Sequence, residues 1–237
     1  MLLNYNVNIK PLNQIDFSSI KVINTINPHS YCVSKQDKDF EQALQASDVL
    51  LPDGIGIVWA ERLLNKNKIE KIAGFDLFIY MMQSLEEKNG SCFFLGASEE
   101  TLVKIANKIK QEFPHVKVGS FSPPYKAEFN TSDNELMCGK VNSFNPDVLF
   151  VGMTAPKQEK WVHSNKNNLN ASLICSIGAV FDFYAGTVKR PHPFWIKLGL
   201  EWFIRLVKEP RRLFKRNFVS TPTFVFYVLK EKFKLSK

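Results

Sequence analysis

Of the side chains able to do chemistry, Asp53 has the most suggestive setting. It stands in Leu51-Pro52-Asp53-Gly54-Ile55-Gly56, between an apolar run and a helical pattern, and the two glycines let backbone and ligand approach closely. Two roles fit it equally well. An Asp just before a helix commonly caps the first amide groups, whereas a carboxylate aimed into a cleft can take a proton from a hydroxyl nucleophile. The segment Gly152-Met153-Thr154-Ala155-Pro156-Lys157-Gln158-Glu159 reads as a strand end, a turn and a helix start, with Pro156 suited to a first helical turn. Its backbone N–H groups could receive phosphate oxygens and Lys157 could add charge, or it could be an ordinary strand-to-helix turn.

Other chemistries find little support. Asp37-Lys38-Asp39 has the D-x-D spacing of a divalent-metal motif. It also falls at a predicted helix start, where acidic residues complement the dipole, and there it reads as structural. No other carboxylate cluster stands out, so no metal site is expected. Diphosphate charge would then fall to helix ends and to Lys or Arg. The four cysteines and four histidines are scattered, with no C-x-x-C and no zinc spacing. Gly54-Ile55-Gly56 is too short for a dinucleotide fingerprint, and no P-loop occurs, so no cofactor is predicted.

These residues need elements to position them. Apolar runs at Lys21–Ile26, Val49–Leu51, Cys92–Leu95, Val116–Phe121, Val148–Val151 and Leu173–Ile177 alternate with helical patterns near 37–46, 55–65, 75–88, 99–112, 133–143 and 156–167. That rhythm predicts an α/β fold, a mostly parallel Rossmann-like sheet with helices on both faces. Ligands of such sheets bind beyond the carboxyl ends of the strands. Thr25-Ile26-Asn27-Pro28, Pro52-Asp53-Gly54, Gly96-Ala97-Ser98, Gly152–Glu159 and Gly178–Asp182 all fall there.

The 237 residues are enough for a full core, and 45% hydrophobic with 23% charged residues excludes disordered and collagen-like chains. The net charge of +8 is unevenly placed. From Gly186 to Lys237 there are 13 Lys or Arg against 3 Asp or Glu, a local +10, which leaves −2 for the rest. The same stretch holds 10 of the 30 aromatic residues. Over Pro193–Glu209 the pattern predicts an amphipathic helix bounded by Pro193 and Pro210, then the basic run Arg211, Arg212, Lys215 and Arg216, then a second aromatic helix after Pro222. Helices packed on the core would explain the aromatics. A surface that meets anionic headgroups and an apolar layer would explain both aromatics and charge. The expected division is an α/β catalytic domain over 1–188 and a basic helical C-terminal appendage over 189–237. No run is long enough to span a membrane and no secretory signal opens the chain, so the protein is expected in the cytoplasm.

Several ordered blocks resemble the WecG/TagA/CpsF glycosyltransferases, glycosyltransferase family 26. They are Leu51-Pro52-Asp53-Gly54-Ile55-Gly56-Ile57-Val58-Trp59-Ala60, Ile72-Ala73-Gly74-Phe75-Asp76-Leu77, Phe94-Leu95-Gly96-Ala97, Ala155-Pro156-Lys157-Gln158-Glu159-Lys160-Trp161, Gly178-Ala179-Val180-Phe181-Asp182, and Gly199–Trp202 through Glu209–Arg212. The resemblance implies an inverting, metal-independent transfer of a hexosyl group from a UDP-sugar to a polyprenyl-diphosphate-linked sugar at the inner face of the bacterial membrane. In similar members the donor carries N-acetylmannosamine or its uronic acid and the acceptor is lipid-linked N-acetylglucosamine, in cell-surface polysaccharide or teichoic acid synthesis. It makes Asp53 the base. It lines the nucleotide-sugar pocket with Thr25, Asn27, Gln158 and Asp182, beside Gly54, Gly96 and Ala97, and turns the appendage with Arg190, Arg205, Arg211 and Arg212 toward the site and the membrane.

Two positions depart from the family pattern. Lys71 stands where a diphosphate-binding Arg is usual, and it keeps the charge but loses the bidentate fork. Thr154 replaces a usual glycine at the pocket edge. Two rival readings remain, a non-catalytic membrane-surface scaffold and a nucleic-acid binder. The −2 core offers no basic face for the latter, so no nucleic-acid partner is expected. Self-association is left open.

Overall fold

The structure is a computed structural model that describes residues 2–188, 192, 194–195, 201–208 and 210–235. Six strands, β1 (Val22–Ile26), β2 (Val49–Pro52), β3 (Ser91–Gly96), β4 (Lys117–Phe121), β5 (Val148–Gly152) and β6 (Leu173–Ser176), form one sheet. Its order is β2-β1-β6-β5-β3-β4, and every pairing is parallel. The expected Rossmann-like architecture is therefore the one found. Strands β3, β5 and β6 are almost continuously buried, because helices cover both faces.

Helices α1 (Pro28–Ser34), α2 (Lys38–Gln45), α3 (Ile55–Asn65), α4 (Gly74–Lys88), α5 (Glu99–Glu112), α6 (Thr131–Phe144), α7 (Lys157–Asn165) and α8 (Val180–Ala185) connect and flank the strands. One core layer packs Leu77, Phe78 and Met81 of α4, Ile105 of α5 and Phe181 of α8 on Ile23, Phe94, Phe150 and Cys175. On the opposite face Met137 and Val141 of α6, with Trp161 and Val162 of α7, cover Val22, Leu149, Val151 and Ile174. Adjacent strand residues thus face opposite layers, as the pleat requires. Two of these eight helices were not expected from the sequence. α1 and α8 have only seven and six residues, too few to show a helical stripe. α1 is nonetheless well specified, because Asn27 and Ser30 cap it reciprocally and Pro28 opens it.

The C-terminal part comprises α9 (Glu201–Lys208), α10 (Pro210–Phe214), a π-helical segment over Lys215–Ser220 and α11 (Thr221–Leu235). α9 is the described part of the amphipathic helix expected over 193–209. Pro210 opens α10, since a proline at a first helical position sacrifices no intrahelical hydrogen bond. α11 buries Phe224 and Val228 in a third core cluster with Tyr31, Leu50, Ile57 and Ala60, so it is packed on the α/β body. Its other side exposes Val225, Phe226, Leu229 and Phe233. Packing on the core therefore accounts for Phe224, while Phe226 and Phe233 on the other side are exposed.

Candidate active site

The strand order lines up the carboxyl ends of β2, β1, β6, β5 and β3 as neighbours. With strands about 4.8 Å apart, this makes a row about 19 Å wide. Asp53, Asn27, Met153 and Ala97 come directly after the ends of β2, β1, β5 and β3, and Gly178 comes two residues after the end of β6.

At one end of the row, the Asp53 N–H donates to Ile26 O at 2.9 Å and so ties the ends of β1 and β2. The cap residue of α3 is Gly54, at φ +98°, with no side-chain cap. Only a residue without Cβ takes that conformation cheaply. The cap position of α3 thus falls to Gly54, one residue beyond Asp53. The Ile72 N–H donates to Pro52 O at 2.9 Å, which brings the half-buried Lys71 to the same strand end. Thr25, half-buried, sits opposite Leu51 in register.

Asn27 has a firm structural duty. Its Oδ1 accepts from the His29 and Ser30 N–H groups at 3.1 and 3.0 Å, and the Ser30 hydroxyl accepts from the Asn27 N–H at 2.8 Å. Capping α1 fixes the chain direction after β1, just beside Gly54, so this side chain shapes the row's floor.

Toward the other end, Gly96 sits at φ +128°, and a Cβ there would lie 2.3 Å from Gly152 O. The ends of β3 and β5 can close only with glycine at this position. Gly152 in turn lies against the Phe181 ring, which is how the Gly178–Asp182 block docks on β5. Ala97 follows at φ +57° and its carbonyl accepts from the Ser122 hydroxyl at 2.7 Å. The Asp182 carboxylate and carbonyl both accept from the Thr187 hydroxyl, at 3.4 and 3.1 Å, and the carbonyl also accepts from the Val188 N–H. Asp182 therefore anchors the chain where it leaves the α/β body. Arg190 lies outside the described residues. Arg205 belongs to α9 and Arg211 and Arg212 to α10, and the positions of their side chains lie outside the description too.

Two residues of the β5–α7 block depart from the expectation. Lys157 turns away from the row: its ammonium donates to Lys126 O and lies 3.6 Å from the centre of the Phe129 ring. Burial pushes its pKa below the ordinary lysine value, so its charge serves the β4–α6 loop instead of a phosphate. Its N–H is also used, donating to Thr154 O. Gln158 is almost wholly buried beneath Gly178. Its Oε1 accepts from the Met153 N–H at 3.1 Å and its Nε2 donates to Glu159 Oε1 at 2.8 Å. Gln158 thus holds the turn after β5 from below.

The burial of Glu159 beside Gln158 was not foreseen from the sequence. Its carboxyl is buried, and the loss of solvation pushes it up to about 7 against the opposing hydrogen bonds from Gln158 and its own N–H. The visible signal was an acidic residue one helical turn before the core residue Val162. The D-x-D segment is structural, as expected. Asp37 Oδ1 accepts from the Phe40 N–H and Oδ2 from Lys160 Nζ, each at 3.0 Å, and these contacts hold its carboxyl below the usual range. Among the described residues no group of three His, Cys, Asp or Glu could hold a metal ion, and no helix is long and apolar enough to cross a membrane.

The chain is 34% identical over 210 residues to an N-acetylglucosaminyldiphosphoundecaprenol N-acetyl-beta-D-mannosaminyltransferase of Bacillus subtilis, an overlap covering 89% of this chain and 79% of that protein. Proteins of the same name from Bacillus spizizenii and Staphylococcus aureus strain MW2 are 30% and 25% identical, covering 93% and 90% of this chain and 91% and 81% of theirs. Residues 10–237 match the model of the glycosyl transferase WecG/TagA/CpsF family, and the chain belongs to that family.

Proposed function

We propose that this glycosyltransferase moves an N-acetylmannosamine-type hexosyl group, with inversion, from a UDP-sugar to a polyprenyl-diphosphate-linked N-acetylglucosamine, in teichoic acid or related surface-polymer synthesis. The observation that carries this reading is the row of strand ends that begins at Asp53 and ends at Gly96-Ala97, in a chain whose relatives bear the name of that transfer.

Asp53 is the base in this reading. Standing at the end of β2, one residue before the Gly54 cap of α3, its carboxylate takes the proton from the acceptor hydroxyl as that oxygen attacks the anomeric carbon and the bond to UDP breaks. The negative charge that develops on the departing diphosphate is stabilised by Lys71 and by the appendage arginines Arg190, Arg205, Arg211 and Arg212. Thr25, Asn27, Gly54, Gly96, Ala97, Gln158 and Asp182 form the floor and walls of the donor pocket. The reaction is expected to need no metal. Residues 1–188 act as the catalytic domain and 189–237 as an appendage on the inner face of the cell membrane. The exposed Trp202, Phe203, Phe226 and Phe233, with Lys230, Lys232 and Lys234 beside them, support that placement.

The deciding experiment measures UDP release from a panel of UDP-sugars, with a lipid-diphosphate N-acetylglucosamine acceptor and with or without EDTA. UDP-N-acetylmannosamine should be used, and EDTA should leave the rate unchanged. Asp53→Asn should lower turnover by about 10²- to 10⁴-fold while UDP still binds. Near-normal turnover in that variant would remove Asp53 from the mechanism.

A further inference from the structure

Three buried polar atoms have no hydrogen-bond partner among the described residues: Asn24 Oδ1, Ser176 Oγ and Glu159 Oε2. Their residues are 1%, 0% and 3% exposed. Orphaned buried atoms are rare, and the topology sets two of these opposite each other on the sheet, with the third on a helix that covers the same face. β1 and β6 pair Val22 with Ile174 and Ile23 with Cys175, so the next step in register sets Asn24 opposite Ser176. Both point to the face that Val22 and Ile174 share with Val162 of α7. α7 starts at the carboxyl edge and runs back down the sheet. Glu159, one turn before Val162, therefore lies at the level of Asn24 and Ser176, two residues beyond Val22 and Ile174.

The remaining valences are complementary. Asn24 Nδ2 already donates to Ser47 Oγ at 2.8 Å, which leaves Oδ1 as an acceptor. Glu159 Oε1 accepts from Gln158 Nε2, and that bond sets the Gln158 amide so that its Oε1 meets the Met153 N–H. The reversed amide would set two donors against each other. The nearest ion pair on α7, Lys160 with Asp37, is closed on itself, and a buried carboxylate without a cation is costly.

We propose that Glu159 is a positioning residue: its Oε1 holds Gln158, and with it the turn after β5, in place at the donor pocket, while its other oxygen, as a neutral acid, shares an internal water with Asn24 and Ser176. The water accepts from the acid O–H and donates to Asn24 Oδ1, and the Ser176 hydroxyl completes its shell. The kinetic consequence rests on the glycosyltransferase reading. The internal site does not.

Glu159→Gln and Glu159→Leu test it. Glutamine keeps the acceptor for Gln158 and supplies an N–H where the acid has its O–H, so its donor KM should stay within about twofold of wild type. Leucine removes both bonds, and donor KM should rise about tenfold with a smaller change in kcat. Infrared difference spectra in mildly acidic buffer should show a protonated-carboxyl carbonyl band in wild type that Glu159→Gln lacks. That band is read on folded protein without any substrate, so it judges the inference even if no donor is turned over or the leucine variant fails to fold. Identical carbonyl regions in wild type and Glu159→Gln would overturn it. So would a donor KM in Glu159→Gln raised as far as in Glu159→Leu.

Discussion

His29 Nδ1 and Ser220 Oγ lie 2.8 Å apart, joining the first turn of α1 to the end of the π-helical segment that leads into α11. The Cys32 thiol donates to the Ser220 carbonyl at 3.2 Å, and Tyr31 meets the Phe224 and Tyr227 rings edge-on. One face of α1 therefore receives the C-terminal segment, while the cap that starts α1, Asn27, forms part of the row of strand ends.

Ser220→Ala should loosen this joint without unfolding the sheet. The loss of one part-buried hydrogen bond is worth about 1 kcal/mol, and it should appear as faster amide hydrogen exchange over 221–235 with strands β3, β5 and β6 unchanged. Exchange that accelerates equally throughout the chain would mean that α11 and the sheet open as one unit.

Lys71 offers a graded test of the diphosphate contact. Lys71→Ala should raise donor KM about tenfold or more, the usual worth of a charged hydrogen bond. Lys71→Arg should restore the bidentate fork and match or improve on wild type. Steady-state kinetics over a donor series would show whether lysine here reflects a looser phosphate contact or a different donor.

Glu159 makes a pH prediction. Its folded value of about 7 lies above its ordinary 4.5 because burial disfavours the charge. The stability it contributes is therefore fully present below 4.5 and is lost as pH rises to about 7. Denaturant melts should show wild type losing, relative to Glu159→Gln, up to about 3 kcal/mol across that window, then running parallel above it. A wild-type stability that rises through the window relative to the variant would reverse the assignment.

Membrane attachment is better tested by substitution than by truncation. Cutting after Val188 would strip Phe224 and Val228 from a core they share with Ile57 and Leu50, and so confounds binding with folding. Phe226→Ala with Phe233→Ala removes only exposed rings. The double variant should melt within about 0.5 kcal/mol of wild type and sediment less with anionic liposomes. Undiminished sedimentation would move the contact to other residues.

Local pattern made much of this protein legible. Five of the six strands are short apolar runs, and α2 and α5 carry clear apolar stripes, so the α/β alternation and the residues beyond each strand could be read directly. Asp53 was visible because Pro52 and the glycines isolate it. α1 and α8 were not, since one or two turns are too short for a period to emerge.

What the chain alone determined was which residues follow each strand, where the positive charge and aromatics gather, and which family blocks occur in order, because each depends on neighbours in sequence. Tertiary structure decided which strand ends are adjacent: β6 enters between β1 and β5 and so sets Gly178 between Asn27 and Met153. It also sent Lys157 to Lys126 and Phe129, paired Asp37 with Lys160, and buried Gln158 and Glu159. A side chain's solvation and partners come from segments distant along the chain, and those govern its charge, its hydrogen bonds and its freedom to meet a substrate.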